Sequence, residues 1–164
     1  MILSHIVAAS LNNAIGKNNQ LLWHLPDDMK FFKNVTWALP VLMGRKTFEA
    51  LSGKPLNGRV NIVMTRQKGW KAEGVVVVHT LADAIFFARE NDYNQLQIIG
   101  GEQIYRETTP KTDRLYITRV QAHIEGDAYY PEVDQKVWKL DYEDPHDADE
   151  KHAYGYSFQT WTRK

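Results

Sequence analysis

Short apolar runs rich in valine and isoleucine recur along the chain, separated by segments with helical patterning. Such runs are typical of strands in a largely parallel sheet, because helices cover both faces of each strand. The predicted strands are Leu3–Ala9, Val41–Gly44, Val60–Met64, Val75–His79, Leu96–Ile99, Arg114–Val120 and Tyr154–Thr162. No helical pattern of crossover length separates the last two strands, so we expect them to pair antiparallel, as a hairpin.

The intervening segments predict about four helices and two long polar loops. The helices are expected at Pro26–Thr36, Arg45–Leu51, Leu81–Glu90 and Glu102–Glu107. Thr80, followed three residues later by Asp83, resembles a capping box and marks the start of the third helix. The loops are Asn12–Leu22, which contains Gly16, and the acidic stretch Asp141–Lys151. The pattern predicts one α/β domain over residues 1–164, since repeats and linkers are not visible.

Composition narrows the function classes. Lysine plus arginine and aspartate plus glutamate number 20 each, so no broad field attracts nucleic acid or an anionic membrane. The absence of cysteine excludes disulfides, thiolate metal sites and cysteine nucleophiles, and agrees with a reducing compartment. The first ten residues are interpreted as a strand and not as a signal peptide, and no apolar run has the length of a bilayer span. We expect a soluble, cytoplasmic protein.

Histidines and acidic residues do not indicate a metal site. None of the six histidines forms a pair with the helical spacing of metal ligands. His146 and His152, with the acidic residues between them, could bind a cation weakly, but a solvated loop is the favoured interpretation. No metal is therefore expected.

Two adjacent acids, Asp27 and Asp28, are candidates for proton chemistry. Pro26 suits the first position of a helix, which places both acids in the first turn. Residues three and four positions apart share a helix face, so Asp28 is expected to stack with Phe31 and Phe32. A carboxylate beside apolar rings loses solvation, which raises its pKa. The spacing does not choose between the two acids, and both could simply complement the helix dipole from solvent.

The carboxyl ends of three predicted strands carry groups that suit phosphates. Arg45-Lys46-Thr47 stands at a helix amino terminus, Gly100-Gly101 allows close approach of the backbone to a ligand, and Thr65-Arg66 ends another strand. Each alone is equally well explained by solvated cations or by chain geometry. Because carboxyl ends of parallel strands share one edge, the three together predict an extended cleft for a ligand with several phosphates. Neither a Gly-x-Gly-x-x-Gly nor a Walker motif is present.

Four motifs, in this order, resemble the bacterial chromosomal type of dihydrofolate reductase: Trp23-x-x-Pro26-x-Asp28, Met43-Gly44-Arg45-Lys46-Thr47-Phe48, Ile99-Gly100-Gly101-x-x-Ile104-Tyr105 and Glu125-Gly126-Asp127. The resemblance covers nearly the whole chain. It implies an eight-stranded, mostly parallel sheet and a monomer that reduces 7,8-dihydrofolate to 5,6,7,8-tetrahydrofolate for one-carbon metabolism. NADPH is the implied cofactor, and dihydrofolate and antifolate-like small molecules are the implied ligands.

The resemblance also implies a pterin site. Asp28, supported by Thr118, would bind the pterin ring and promote protonation of N5, either through a water molecule or electrostatically. Trp23 would position such a water, although a core aromatic role suits it as well. The other implied substrate-binding residues are Ile6 and Ile99 through their carbonyls, Ala8, Phe32, Arg59 at the glutamate tail, and Lys33 and Lys54 beside that tail. From its position alone, Arg59 could equally be a loop cation.

The implied cofactor site is longer. The segment over the nicotinamide comprises Ala8, Ala14, Ile15, Gly16, Lys17, Asn18, Asn19 and Gln20. Lys46 and Thr47 would meet the pyrophosphate, and Arg45, Thr65 and Arg66 the 2′-phosphate. Gly44 and His79 belong to the same set, and the cleft is closed by Gly100, Gly101, Glu102, Gln103, Ile104 and Tyr105. Two residues depart from the family pattern: Leu22 replaces the proline that usually precedes the tryptophan, and Gln103 stands where some relatives have arginine.

Two rival functions follow from the same residues. A reductase of this fold could act on another pterin or on a pyrimidine, but Asp28 and Arg59 argue against it. A silent NADPH-binding module is the second rival, and the combination of Asp28 and Thr118 gives it no support.

Overall fold

The computed structural model describes all 164 residues of the chain. The strands are β1 (Ile2–Ser10), β2 (Ala14–Gly16), β3 (Pro40–Gly44), β4 (Val60–Met64), β5 (Val75–Val78), β6 (Gln95–Gly100), β7 (Arg114–Val120), β8 (Ala128–Tyr129), β9 (Trp138–His146) and β10 (Tyr156–Arg163). The helices are α1 (Pro26–Thr36), α2 (Arg45–Ala50), α3 (Leu81–Glu90), α4 (Glu102–Thr108) and a short 3-10 helix (Thr109–Lys111).

Eight strands form one sheet in the order β5-β4-β3-β6-β1-β7-β10-β9. Neighbours from β5 through β7 are parallel, whereas β10 is antiparallel to both β7 and β9. Strands β2 and β8 pair separately as a short antiparallel ribbon. The predicted fold class, a mostly parallel eight-stranded sheet with antiparallel carboxyl-terminal strands, is confirmed.

The predicted hairpin has a different partner. Strand β10 does pair with β7, but the strand that forms the hairpin with β10 is β9. The sequence interpretation placed a loop over Asp141–Lys151, and the first six of these residues belong to β9. Almost every β9 residue after Trp138 is exposed, because this is an edge strand. Because β9 buries neither face, its sequence lacks the alternation of apolar and polar residues by which strands are recognised. The predicted loop was therefore wrong for residues 141–146.

The core lies on both faces of the parallel strands. Leu42, Ile62 and Ile98 are fully buried on one face. Val41, Met43 and Val63 are equally buried on the other face, where they pack with Phe48 of α2. Successive residues of a strand point to opposite faces, so a strand buried on both faces is apolar throughout. This burial explains the continuous apolar runs of the sequence.

The helix starts follow the local chemistry of the sequence. Pro26 occupies the first turn of α1, and the Thr80 side chain accepts a 3.0 Å hydrogen bond from the Asp83 amide at the start of α3, so both predicted starts are confirmed. In contrast, α2 and α4 begin after Gly44 and Gly101, without a capping side chain. No helix is long and apolar enough to cross a membrane.

Candidate active site

A cleft of about 1880 Å³ opens along the carboxyl ends of β1, β3, β4 and β6. It joins the three strand ends that the sequence predicts to converge. The predicted site residues in its wall are Ile6, Ala8, Ile15, Gly16, Asn18, Asn19, Gln20, Asp28, Phe32, Lys33, Gly44, Arg45, Lys46, Thr47, Arg59, Thr65, Arg66, His79, Ile99, Gly100, Gly101, Glu102, Gln103, Ile104 and Tyr105.

Five predicted site residues lie outside the cleft wall: Ala14, Lys17, Trp23, Lys54 and Thr118. Trp23 packs against a buried cluster that contains Leu25 and Tyr156. Ala14 is fully buried beneath the loop. Lys17 points to solvent, where its ammonium lies 3.8 Å from the Glu125 carboxylate. The structure therefore brings these residues near the cleft but not into its lining.

Asp28 presents its carboxyl to the cleft from the first turn of α1. Its Oδ1 accepts a 2.6 Å hydrogen bond from the hydroxyl of Thr118, which is buried on β7. Burial raises the pKa of the Asp28 carboxyl above its ordinary value, and the Thr118 hydrogen bond acts in the opposite direction. Asp28 is therefore a half-buried acid in the cleft wall, and one of its oxygens is held by Thr118 from outside that wall.

The neighbouring acid, Asp27, has a different environment. Its side chain is 44% exposed, and its Oδ2 accepts a 2.6 Å hydrogen bond from the Tyr156 hydroxyl. That hydrogen bond lowers the pKa of Asp27. The sequence spacing did not distinguish Asp27 from Asp28. In the structure only Asp28 lines the cleft.

The two phenylalanines predicted to lie beside Asp28 have different surroundings. Phe32 lines the cleft with Asp28. Phe31 instead stacks on Phe158 of β10, with ring centroids 4.6 Å apart, and meets Tyr116 of β7 edge-on. Phe32 therefore contributes an apolar ring to the cleft wall, whereas Phe31 anchors α1 to the sheet.

A buried tyrosine holds one backbone carbonyl of the cleft. The Tyr105 hydroxyl, on α4, donates a 2.7 Å hydrogen bond to the carbonyl oxygen of Ile6 on β1. Burial raises the pKa of Tyr105, so the hydroxyl remains a donor at physiological pH. Sequence reasoning assigned Tyr105 to cleft closure and did not find this contact.

Two helix amino termini supply N–H groups to the other end of the cleft. Helices α2 and α4 both lack a capping side chain, and both begin at glycines in the cleft wall. A Cβ at Gly101 would lie 3.1 Å from the Thr47 hydroxyl, and Gly100 has a φ of +125°. Uncapped amides at helix amino termini bind anions. The residues at this end therefore fit a ligand with phosphate groups.

Two arginines and a histidine at the phosphate end of the cleft are each paired with a neighbouring group. The Arg45 guanidinium is hydrogen-bonded to Glu49 of the same helix. The Arg66 guanidinium is 3.2 Å from the Glu107 carboxylate on α4, and its side chain is 83% exposed. The Thr65 carbonyl is 2.7 Å from Nδ1 of His79. Arg66 is thus an exposed cation at the rim, whereas the Thr65 carbonyl and His79 are held together by a hydrogen bond.

The loop after β1 crosses the cleft and is fastened on both sides. The Asn18 amide donates a 2.9 Å hydrogen bond to the Asp127 carboxylate, and the Asn19 side chain donates to the Lys46 carbonyl at 3.0 Å. Asp127 belongs to the recognised Glu125-Gly126-Asp127 motif but was absent from the predicted site residues. The position of this loop over the cleft therefore depends on two solvent-exposed hydrogen bonds, one to Asp127 and one to the Lys46 carbonyl.

The end of the cleft nearest Asp28 continues into a cationic pocket of about 520 Å³. Arg59 donates to the Asn57 carbonyl at 2.9 Å and to the Thr36 hydroxyl at 3.2 Å, and its guanidinium lies over the Trp37 ring. Lys54 and Lys33 line the same pocket. Trp37 was not predicted as a site residue, and its position directly after α1 gave no signal of it.

Comparisons with known proteins bear on this geometry. The sequence model described as dihydrofolate reductase matches residues 2–163. The chain is 41% identical to the dihydrofolate reductase of Haemophilus influenzae over 164 residues, which is 100% of both chains. It is 43% identical to dihydrofolate reductase type 3 of Salmonella typhimurium over 164 residues, covering 100% of this chain and 99% of that relative. The chain belongs to the dihydrofolate reductase family.

The structural match agrees with this membership. A solved dihydrofolate reductase from Enterococcus faecalis, complexed with NADP(H) and RAB-propyl, superposes with a TM-score of 0.91 and 36% identity. The alignment covers 99% of this chain and 96% of that chain. As a dihydrofolate reductase the protein uses NADPH, and the uncapped amides, glycines and cations at the phosphate end of its cleft fit that cofactor.

Proposed function

We propose that Asp28 promotes protonation of the pterin nitrogen N5 in the reaction of this dihydrofolate reductase, the reduction of 7,8-dihydrofolate to 5,6,7,8-tetrahydrofolate. The observation that supports this role is the half-buried Asp28 carboxyl in the cleft wall, held 2.6 Å from the Thr118 hydroxyl. NADPH, when bound, supplies the hydride. The residues of the chain must therefore supply orientation, water exclusion and control of one proton.

Asp28 suits the control of that proton. A C=N carbon accepts hydride readily only when its nitrogen is protonated, and the reacting atoms must come within about 3 to 3.5 Å. Burial raises the pKa of Asp28, which brings the carboxyl closer to the pH at which it can share a proton with a ligand. Asp28 acts through an intervening water or by stabilising the protonated pterin. In either case Thr118 fixes one oxygen of the carboxyl, Oδ1.

The remaining substrate contacts follow the shape of the cleft. The carbonyls of Ile6 and Ile99 accept hydrogen bonds from the ring amino group, and Phe32 packs on the ring. Arg59 binds the α-carboxylate of the glutamate tail, because its guanidinium plane is fixed beside Trp37 and a planar fork matches a carboxylate. Lys33 and Lys54 border that tail, and antifolate-like molecules occupy the same site.

The cofactor contacts occupy the opposite end. Lys46, Thr47 and the amides of α2 and α4 bind the pyrophosphate. Arg66, with Thr65 and Arg45, binds the 2′-phosphate. The loop of residues 14–20 covers the nicotinamide. Support for this assignment comes from the uncapped helix termini and from the hydrogen bonds that fasten the loop to Asp127 and Lys46.

The test replaces Asp28 and, in a separate variant, Asp27, the two acids in the first turn of α1. Asp28→Asn is expected to fold and to lose about a hundredfold or more of the dihydrofolate-dependent oxidation of NADPH at neutral pH. Part of the rate should return in acid, where the substrate arrives already protonated. Asp27→Asn is the matched control and is expected to lose far less, because its amide oxygen can still accept from Tyr156. Near-wild-type rates for Asp28→Asn across this pH range would remove Asp28 from the mechanism.

We also propose that residues 1–164 form a single domain that works as a monomer in the cytoplasm, without nucleic-acid or membrane partners. One continuous sheet includes the first and the last strand, and the formal net charge is zero. Light scattering should give the monomer mass of 19.0 kDa. A stable mass of twice that value would contradict the monomer.

A further inference from the structure

The connection between β9 and β10 buries a histidine against the start of α1. The sequence interpretation placed His152 in a solvated loop, yet the residue is only 2% exposed. Its Nε2 lies 3.1 Å from the Asp27 amide nitrogen, and its Nδ1 lies 2.8 Å from Oδ1 of Asp149. Because an amide N–H can only donate, Nε2 must accept, and the ring proton is therefore on Nδ1 and donated to Asp149.

This contact supplies what the sequence of α1 lacks. The residue at the cap position, Leu25, has no side chain that can accept a hydrogen bond, and Pro26 has no N–H. The Asp27 amide is the first free donor of the helix, and its acceptor comes from a residue 125 positions later in the chain. His152 thus replaces the missing cap from a remote segment.

The same turn is held at two further points. The Tyr156 hydroxyl of β10 binds the Asp27 carboxylate at 2.6 Å, and the Thr118 hydroxyl of β7 binds the Asp28 carboxylate at 2.6 Å. Strands β7 and β10 are neighbours, so these two hydrogen bonds tie the turn to one part of the sheet. Asp28 follows Asp27 directly, and any rotation of the first turn changes the direction of its carboxyl.

We propose that His152 is a positioning residue for the reduction: by accepting the Asp27 N–H, it fixes the first turn of α1 and therefore the direction in which Asp28 meets the substrate. This inference rests on the role proposed above for Asp28. His152 itself touches neither substrate nor cofactor, since it is absent from the cleft wall. Its effect must therefore appear in constants that depend on dihydrofolate and not in the affinity for NADPH.

Two substitutions separate the hydrogen bond to Asp27 from the rest of the histidine. In His152→Gln the amide oxygen lies as many bonds from Cβ as Nε2 does, so it can still accept from the Asp27 amide. In His152→Asn the side chain reaches only the position of Nδ1, so it can bind Asp149 but not Asp27. Both variants are polar, lose the ring and remove the packing against Tyr156, where the ring centroids are 4.9 Å apart.

The readouts are kcat/KM for dihydrofolate, the single-turnover rate and the Kd of NADPH. We expect His152→Asn to lower kcat/KM about five- to tenfold, which is the effect when the free energy of one lost helix cap appears in full as weaker binding of the transition state. His152→Gln should keep at least half of the wild-type value, and the Kd of NADPH should change less than about twofold in both variants. Equal losses in the two variants, or no loss in either, would overturn the inference, because packing alone would then account for His152.

A second measurement on the wild-type enzyme keeps the inference testable if His152→Asn does not fold. A scalar coupling between the Asp27 amide nitrogen and Nε2 of His152 should be detectable by NMR across the hydrogen bond. A protonated or solvent-facing Nε2 would show no coupling and would also overturn the inference. This readout is independent of activity, so failure of the Asp28 mechanism in the Asp28→Asn assay remains distinguishable from failure of the His152 inference.

Discussion

The hydroxyl of Thr118 can be removed with little change of side-chain shape. Thr118→Val replaces the hydroxyl with a methyl group at a site that is 1% exposed, where the hydroxyl lies 2.6 Å from Oδ1 of Asp28. This hydrogen bond lowers the pKa of Asp28, in opposition to burial. We therefore expect the pKa of Asp28 to rise further in Thr118→Val.

The size of this rise follows from the hydrogen bond. A separation of 2.6 Å is typical of a hydroxyl that donates to a charged carboxylate. Such bonds contribute about 1.5 to 3 kcal/mol. The protonated carboxyl would keep part of the interaction, so the lower end of this range is the appropriate one. Removing the hydroxyl should therefore disfavour the ionised carboxyl by about 1.4 kcal/mol relative to the protonated one, which raises the pKa of Asp28.

The same shift predicts a pH-dependent loss of stability. Because burial raises the folded-state pKa of Asp28 above the unfolded value, the stability linked to this group is present below the unfolded pKa and is lost as the pH rises through the folded pKa. Raising the folded pKa enlarges that loss. Thr118→Val should therefore lose about 1.4 kcal/mol more free energy of unfolding at pH 7 than in acid below pH 4.

Two assays check this prediction. A ¹³C NMR titration of the Asp28 carboxyl gives its pKa in the wild type and in each variant, and urea unfolding gives the stability at both pH values. Thr118→Ser keeps the hydroxyl and serves as the control. An unchanged Asp28 pKa in Thr118→Val, or the same rise in Thr118→Ser, would refute the reasoning.

Two further predictions concern the cofactor and the core. Arg66→Ala should raise the KM for NADPH about tenfold and the KM for NADH far less, because only NADPH carries a 2′-phosphate for the guanidinium; equal losses would contradict this assignment. His5 is buried between the hydroxyls of Tyr130 and Thr108, and burial lowers its pKa to about 3. Its stability contribution is present above the unfolded pKa and is lost as the pH falls toward 3. Between pH 6 and 4, His5→Leu should reduce the pH dependence of unfolding by about 1.4 kcal/mol per pH unit, and a wild-type slope would disprove it.

Local sequence patterns were sufficient to predict those features that depend only on residues close together in the chain. The Pro26 helix start, the pairing of Thr80 with the Asp83 amide and the buried parallel strands all depend on spacings of a few residues. The convergence of Arg45, Thr65 and Gly100 on one cleft followed from the rule for parallel strands.

Other features depend on which distant segments meet. Nothing near Asp27 and Asp28 distinguishes them, because the partners that do so are Tyr156 and Thr118, about 90 to 130 residues away. Strand β9 escaped recognition because an edge strand need not bury either face. His152 resembled a loop residue because its acidic neighbours are exposed, although its own side chain turns inward.

The position of β1 in the middle of the sheet has a consequence for synthesis on the ribosome. This strand emerges first, yet its partners begin at Gln95 on one side and Arg114 on the other. At about 5 to 20 residues per second, the nascent chain carries the central strand β1 unpaired for roughly 5 to 20 seconds. Translation that stops before Gln95 thus releases β1 without either of its partner strands.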